Sequence, residues 1–103
     1  MRRAVILEIT LGVLLMPSLT FGQRAAWEQL TASGNEFRAQ GRYAEAETAF
    51  RGALEKAEGL GEPRVVARSL NDLAVALESR GDYAQAEQFY HRAVAAWGHT
   101  LSH

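Results

Sequence analysis

Gly41-Arg42-Tyr43-Ala44-Glu45-Ala46-Glu47 returns forty residues later as Gly81-Asp82-Tyr83-Ala84-Gln85-Ala86-Glu87. A fixed internal period means that the chain is built from repeated supersecondary units, each needing a neighbour to cover its apolar face. The register extends outward from the heptapeptide. Leu30 matches Leu70, Phe37 matches Leu77, Phe50 matches Tyr90, Ala53 matches Ala93 and Leu54 matches Val94. Side-chain size is kept at these positions even where identity is lost, so one packing problem is being solved twice.

Each unit reads as two antiparallel helices, which makes the fold all-α. Arg24 to Gln40 and Pro63 to Arg80 are the expected first helices; Ala44 to Leu60 and Ala84 to Leu101 are the expected second ones. Apolar and small residues fall at helical spacing, as in Trp27, Leu30, Gly34, Phe37 and in Leu70, Leu73, Ala74, Leu77. Gly41 and Gly81 stand just past the first helices, where a left-handed residue ends a helix without a Cβ penalty. Asp82 can cap the following helix with Gln85 completing a capping box, whereas Arg42 offers no such cap. Gly59-Leu60-Gly61-Glu62-Pro63 supplies two glycines to stop one helix and a proline suited to the first turn of the next. Small residues at Gly34, Ala46, Ala53, Ala74, Ala86 and Ala93 allow close helix approach, and Tyr43, Phe50, Tyr83 and Tyr90 are expected to fill the space beside them.

The repeat begins after a different kind of segment. Met1-Arg2-Arg3 is basic, Ala4 to Leu19 is apolar apart from Glu8, and Thr20-Phe21-Gly22 ends in small residues. This is the layout of a secretory signal peptide over residues 1–22, cleaved before Gln23. An uncleaved membrane anchor and an ordinary amphipathic first helix are the competing readings; the run after Glu8 is shorter than the roughly 20 residues of a spanning helix. The signal places residues 23–103 outside the cytoplasm, periplasmic or secreted, with no membrane insertion after cleavage.

Composition narrows the function classes. The 103 residues hold 11 Lys+Arg against 12 Asp+Glu, so the basic surplus of a nucleic-acid binder is missing. There is no cysteine, which excludes disulfides, thiolate metal sites and cysteine nucleophiles. His99 and His103 have the spacing of a two-histidine metal pair but no third ligand in the sequence, and His91 stands apart. The carboxylate pairs Glu45/Glu47 and Glu55/Glu58 sit among arginines as solvated helix charges. The glycines are helix stops rather than a phosphate cradle. Trp27 and Trp97 read as packing residues before a ligand cage. No catalytic residue, metal or cofactor is assigned, and an enzyme is not expected.

Leu30-x2-Ser33-Gly34-x2-Phe37 with Ala46-x3-Phe50, and Leu70-x2-Leu73-Ala74-x2-Leu77 with Ala86-x3-Tyr90, resemble the tetratricopeptide repeat signature. Ser33 departs from it by replacing a core leucine. The period of forty is longer than the usual one and, with Ser69-Leu70-Asn71-Asp72-Leu73-Ala74 and Gly81-Asp82-Tyr83, is similar to kinesin light chains and their bacterial relatives. The resemblance implies a right-handed α-solenoid fragment with repeats at about 27–62 and 63–101. It also implies a protein or peptide partner held in the groove of the first helices. Residues on those helices not needed for packing are Glu28, Thr31, Asn35 and Arg38 in the first unit, and Arg68, Asn71, Val75 and Glu78 in the second. Members that clamp acidic chaperone tails use a lysine and an asparagine; Asn35 matches one, but Thr31 replaces the lysine. Asn35 and Asn71 suit backbone hydrogen bonding to a peptide instead.

A second reading comes from stability. Repeat arrays normally need about three units, so a self-assembling or truncated structural unit acting through homo-oligomerisation is the alternative. On that reading Trp97, with Phe89 and Leu101, lies uncovered on the last helix and marks an interface.

Overall fold

The computed structural model describes residues 22–101, with side chains through residue 98. Apart from Gly22, the signal-peptide and anchor readings fall on residues outside that range, as do the side chains of His99, Leu101 and His103.

Four helices make up the described residues: α1 over 22–39, α2 Tyr43–Leu60, α3 Pro63–Ser79 and α4 Tyr83–Leu101. They match the expected helices to within two residues at each end. The repeated glycines explain why. At the end of α1, Arg42 N–H reaches Phe37 C=O at 2.8 Å and Gly41 N–H reaches Arg38 C=O at 3.0 Å. At the end of α3 the same pair recurs as Asp82 to Leu77 at 2.9 Å and Gly81 to Glu78 at 2.9 Å. This closure requires a left-handed residue, and Gly41 and Gly81 supply it at φ 75° and 85°. Between the units only Gly61 is left-handed; Gly59 lies within α2, so one glycine and not two stops that helix. Pro63 then opens α3 at a position where a missing N–H costs nothing.

Short turns force each helix to run antiparallel to the next. α1 and α3 consequently lie side by side and parallel, with Arg24 at the start of one paired to Glu62 just before the other. α3 is the central element. Ala67, Ser69, Leu70, Leu73, Ala74, Ala76 and Leu77 are buried along it, against Ala46, Phe50 and Leu54 on one side and Ala86 and Ala93 on the other. A second cluster joins Trp27 to Ala53 and Ala57, with Leu30, Leu60, Val65 and Val66 packed around it.

Two expectations about side chains are corrected. Tyr83 does not fill a gap beside the small residues but is 68% exposed, standing at the first residue of α4 on the rim of an open depression with Val75, Glu78 and Ser79. Glu47 is not an ordinary solvated helix charge. Its carboxylate accepts from Arg51 Nε at 2.9 Å and from Arg80 Nη1 at 2.5 Å, tying α2 to the end of α3. Burial pushes its pKa up, but the hydrogen bonds and charges of Arg51 and Arg80 outweigh this and hold it below the usual carboxylate value. A lowered folded-state pKa gives stability that is complete above the unfolded value of about 4.5 and is lost as pH falls through the folded one. Glu47→Gln should therefore cost about 1–2 kcal/mol near neutral pH. Urea unfolding should show the gap from wild type closing in acid.

The expected caps are partly realised. Arg42 makes no side-chain cap, and its guanidinium instead lies 4.8 Å from the Phe37 ring while pairing with Glu45. Asp82 Oδ1 accepts from Gln85 N–H at 3.4 Å, a long bond at the start of α4.

Candidate functional site

Side-by-side packing of α1 and α3 creates a groove whose floor is Trp27. The indole is 7% exposed, and its Nε1–H donates to Ser69 Oγ at 2.7 Å across the two helices. That bond fixes the register of α1 against α3. Arg68 lies over the indole with its guanidinium 5.4 Å from the ring, an arrangement worth about 0.5–1 kcal/mol at an exposed site.

Two clefts meet at this Trp27–Arg68 pair. One, of about 170 Å³, is lined by Glu28, Thr31, Ala32 and Asn35 from α1 together with Arg68. The other, of about 410 Å³, is lined by Arg64, Val65, Arg68 and Asn71 from α3 and by Trp97 from α4. Helical spacing explains the grouping: residues 64, 68 and 71 form one stripe of α3, and 28, 31 and 35 form one stripe of α1.

The expected groove residues divide accordingly. Glu28, Thr31, Asn35 and Arg68 come together, as do Arg68, Asn71 and Trp97. Val75 and Glu78 do not join them. They line a separate depression with Ser79, Tyr83 and Tyr90, where Tyr90 Oη–H donates to Glu78 Oε2 at 2.7 Å. Burial, then the bond and charge of Glu78, push the Tyr90 pKa up to about 12, so it stays a donor. Arg38 is half-buried and acts on Asp72 rather than lining either cleft.

Thr31 is the main correction. Expected as a free polar residue, it is only 4% exposed, because α3 approaches α1 closely at this level. Its hydroxyl is buried with no hydrogen-bond partner among the described residues. Leaving such a group unpaired costs about 1–3 kcal/mol. Arg64 and Val65 were not singled out by sequence, although Arg64 precedes Arg68 by one helical turn on the same stripe. Trp27 packs as its helical spacing predicts, and it also floors the groove.

Asp72 sits beside the stripe under opposing influences. Burial raises its pKa, and the charges of Arg68 and Arg38 offset this only in part. A raised folded-state pKa makes the ionised carboxylate a burden at neutral pH, relieved as pH falls toward the unfolded value of about 3.8. Asp72→Asn is expected to raise the unfolding free energy measured in urea slightly at neutral pH, by less than about 1 kcal/mol, with the advantage fading in acid.

This arrangement is an open, shallow surface. Among the described residues no three His, Asp or Glu side chains gather as a metal site, and no helix is long and apolar enough to cross a membrane. What α1, α3 and the end of α4 provide is a shallow slot with one buried hydroxyl, two amides, cationic side chains and two indoles. Residues 31–97 match the tetratricopeptide repeat family, which is more than half of the chain. The chain belongs to the tetratricopeptide repeat family. Comparison with curated proteins and with solved structures gives no significant match. Tetratricopeptide repeats are in general protein-interaction modules, and the paired helices and glycine-terminated first helices described above are those of such a repeat.

Proposed function

We propose that this tetratricopeptide protein holds a peptide segment of a partner protein in the groove between α1 and α3. The observation that carries the reading is the meeting of two clefts at the exposed Arg68 above the Trp27 floor, with Asn35 lining one and Asn71 the other. Asn35 and Asn71 supply further donors and acceptors for a peptide backbone, and Trp27 with Trp97 supplies apolar contact. The longer repeat of the kinesin-light-chain type is the subtype we favour, on the forty-residue period.

Selection of peptides from a displayed library on the full chain tests this reading. Peptides that bind wild type should lose at least about tenfold in affinity on Arg68→Ala, since aromatic and arginine anchors dominate such contacts. Arg68 is exposed, so the fold should survive, as circular dichroism would verify. Peptides that bind the variant as well as wild type would place the site elsewhere.

We further propose that residues 1–22 act as a signal peptide and that the repeat domain works outside the cytoplasm. Mass spectrometry of the protein recovered from its host should find Gln23 as the first residue. An intact Met1 on exported protein would favour a retained membrane anchor.

A further inference from the structure

The joint between the two repeats has both of its halves duplicated, unfilled, at opposite ends of the described domain. Inside the chain, α2 seats on the surface formed by α3 and α4. Leu54 is buried there in one cluster with Leu70, Leu73 and Leu77. Arg51 Nη2 donates to Gln85 Oε1 at 3.4 Å, and its guanidinium lies 5.6 Å from the Phe89 ring.

Shifting every position by the forty-residue period turns the seat into Leu30, Ser33 and Phe37 of α1 with Glu45 and Ala49 of α2. These residues line a groove of about 500 Å³ that is open among the described residues. The same shift turns the knob into α4. Leu54 becomes Val94, which is 69% exposed, and Ala57 becomes Trp97, which is 43% exposed. The face that fits the groove is thus present on the same chain, on the last of the described helices.

Side-chain size agrees with the match. At the internal joint, small Ala57 belongs to a cluster against which Val65 and Val66 pack. The shifted positions are large Trp97 facing small Ala25 and Ala26, so volume is exchanged across the contact rather than added. Arg51 and Gln85 become His91 and Glu45, so an imidazole N–H and a carboxylate replace the guanidinium and the amide, each beside its own helix partner, Glu87 and Arg42.

We propose that the chain stacks on itself head to tail, the Val94–Trp97 face of α4 in one copy seating in the α1–α2 groove of the next. Such a contact is heterologous and does not close on itself, so it builds a continuous superhelix in which each added copy buries one more joint. It leaves the Thr31 and Asn35 cleft free but shares Trp97 with the cleft of Arg64, Arg68 and Asn71. The exposed Ser33, standing where the internal joint has fully buried Leu73, makes this contact weaker than the one within the chain.

Sedimentation of the full chain across the micromolar range tests the stack. The mass of wild type should climb with concentration. Ser33→Asp blocks the groove and Val94→Asp blocks the knob; both sites are exposed, so each variant should keep its helicity and remain a single chain. Mixed together they should form a 1:1 dimer, because each supplies the half that the other lacks. Ser33→Leu, copying Leu73, should strengthen association at least about tenfold. The proposal is overturned if wild type and Ser33→Leu both stay single chains, as they would were the groove meant for another protein. It is equally overturned if Ser33→Asp still assembles, as a symmetric α4-to-α4 dimer would, or if the mixture gives no dimer.

Discussion

Trp27→Ala is expected to lower the unfolding free energy by about 3–5 kcal/mol, the usual cost of deleting a buried large aromatic. Two-repeat domains have little to spare, since total stabilities of small domains lie near about 5–15 kcal/mol. The variant should therefore lose a large share of its stability and unfold at a much lower urea concentration. The reason is position: Trp27 joins α1 to Ala53 and Ala57 of α2 and, through Ser69, to α3. Trp27→Phe separates the two roles. It keeps an aromatic ring but removes the N–H donor, leaving Ser69, which is 1% exposed, without that bond. A loss of about 1–3 kcal/mol is expected, each kcal/mol moving the thermal midpoint by about 4–8 °C in a domain of this size. Ser69→Ala should cost a similar amount by stranding the indole N–H. Combining Trp27→Phe with Ser69→Ala should then cost clearly less than the two losses added, because no buried group is left asking for a partner. Strict additivity in chemical denaturation would show that the 2.7 Å bond contributes nothing.

The sequence carried the helices because their ends are written locally. Gly41 and Gly81 close α1 and α3 through the same two backbone bonds, and Pro63 opens α3; none of these depends on distant residues. Side-chain roles that depend on which helix lies opposite were less legible. Glu47 has the same local setting as any helix-surface glutamate, and only the placement of Arg80, thirty-three residues away, makes it a tie between helices. Thr31 resembles its polar neighbours in sequence but is buried by α3. Val75 and Glu78 continue the stripe of Arg68 and Asn71 along α3, yet they reach a different depression because α4 begins beside them. Periodicity reports which face a residue is on. It does not report where along that face a neighbouring helix stops.

Gly34→Leu is the other change with a large expected effect, and it tests how the first helix pair is allowed to form. A Cβ at Gly34 would lie 2.4, 2.6 and 2.7 Å from three ring carbons of Phe50. Phe50 is 1% exposed, so its ring has no free space to move into. Replacing glycine within a helix gains at most about 1 kcal/mol of propensity. Overpacking a tight core costs about 1–3 kcal/mol, and leucine adds several carbons at the closest point. The clash wins, and a net loss of more than about 2 kcal/mol is expected. The second repeat shows that the constraint belongs to this pair of residues and not to the fold. There Ala74 stands at the matching position, fully buried, and the residue matching Phe50 is Tyr90, whose hydroxyl donates to Glu78. Phe50→Ala alone should cost about 3–5 kcal/mol by leaving a cavity beside Gly34. Gly34→Leu placed on top of it should fill part of that cavity instead of clashing. The double variant is thus expected to be at least as stable as Phe50→Ala, and the coupling between the sites should reach about 2 kcal/mol or more. Urea denaturation of the four proteins measures it directly. Independent losses that simply add would mean that α1 and α2 do not cross at Gly34 and Phe50, and the packing of the first repeat would have to be redrawn.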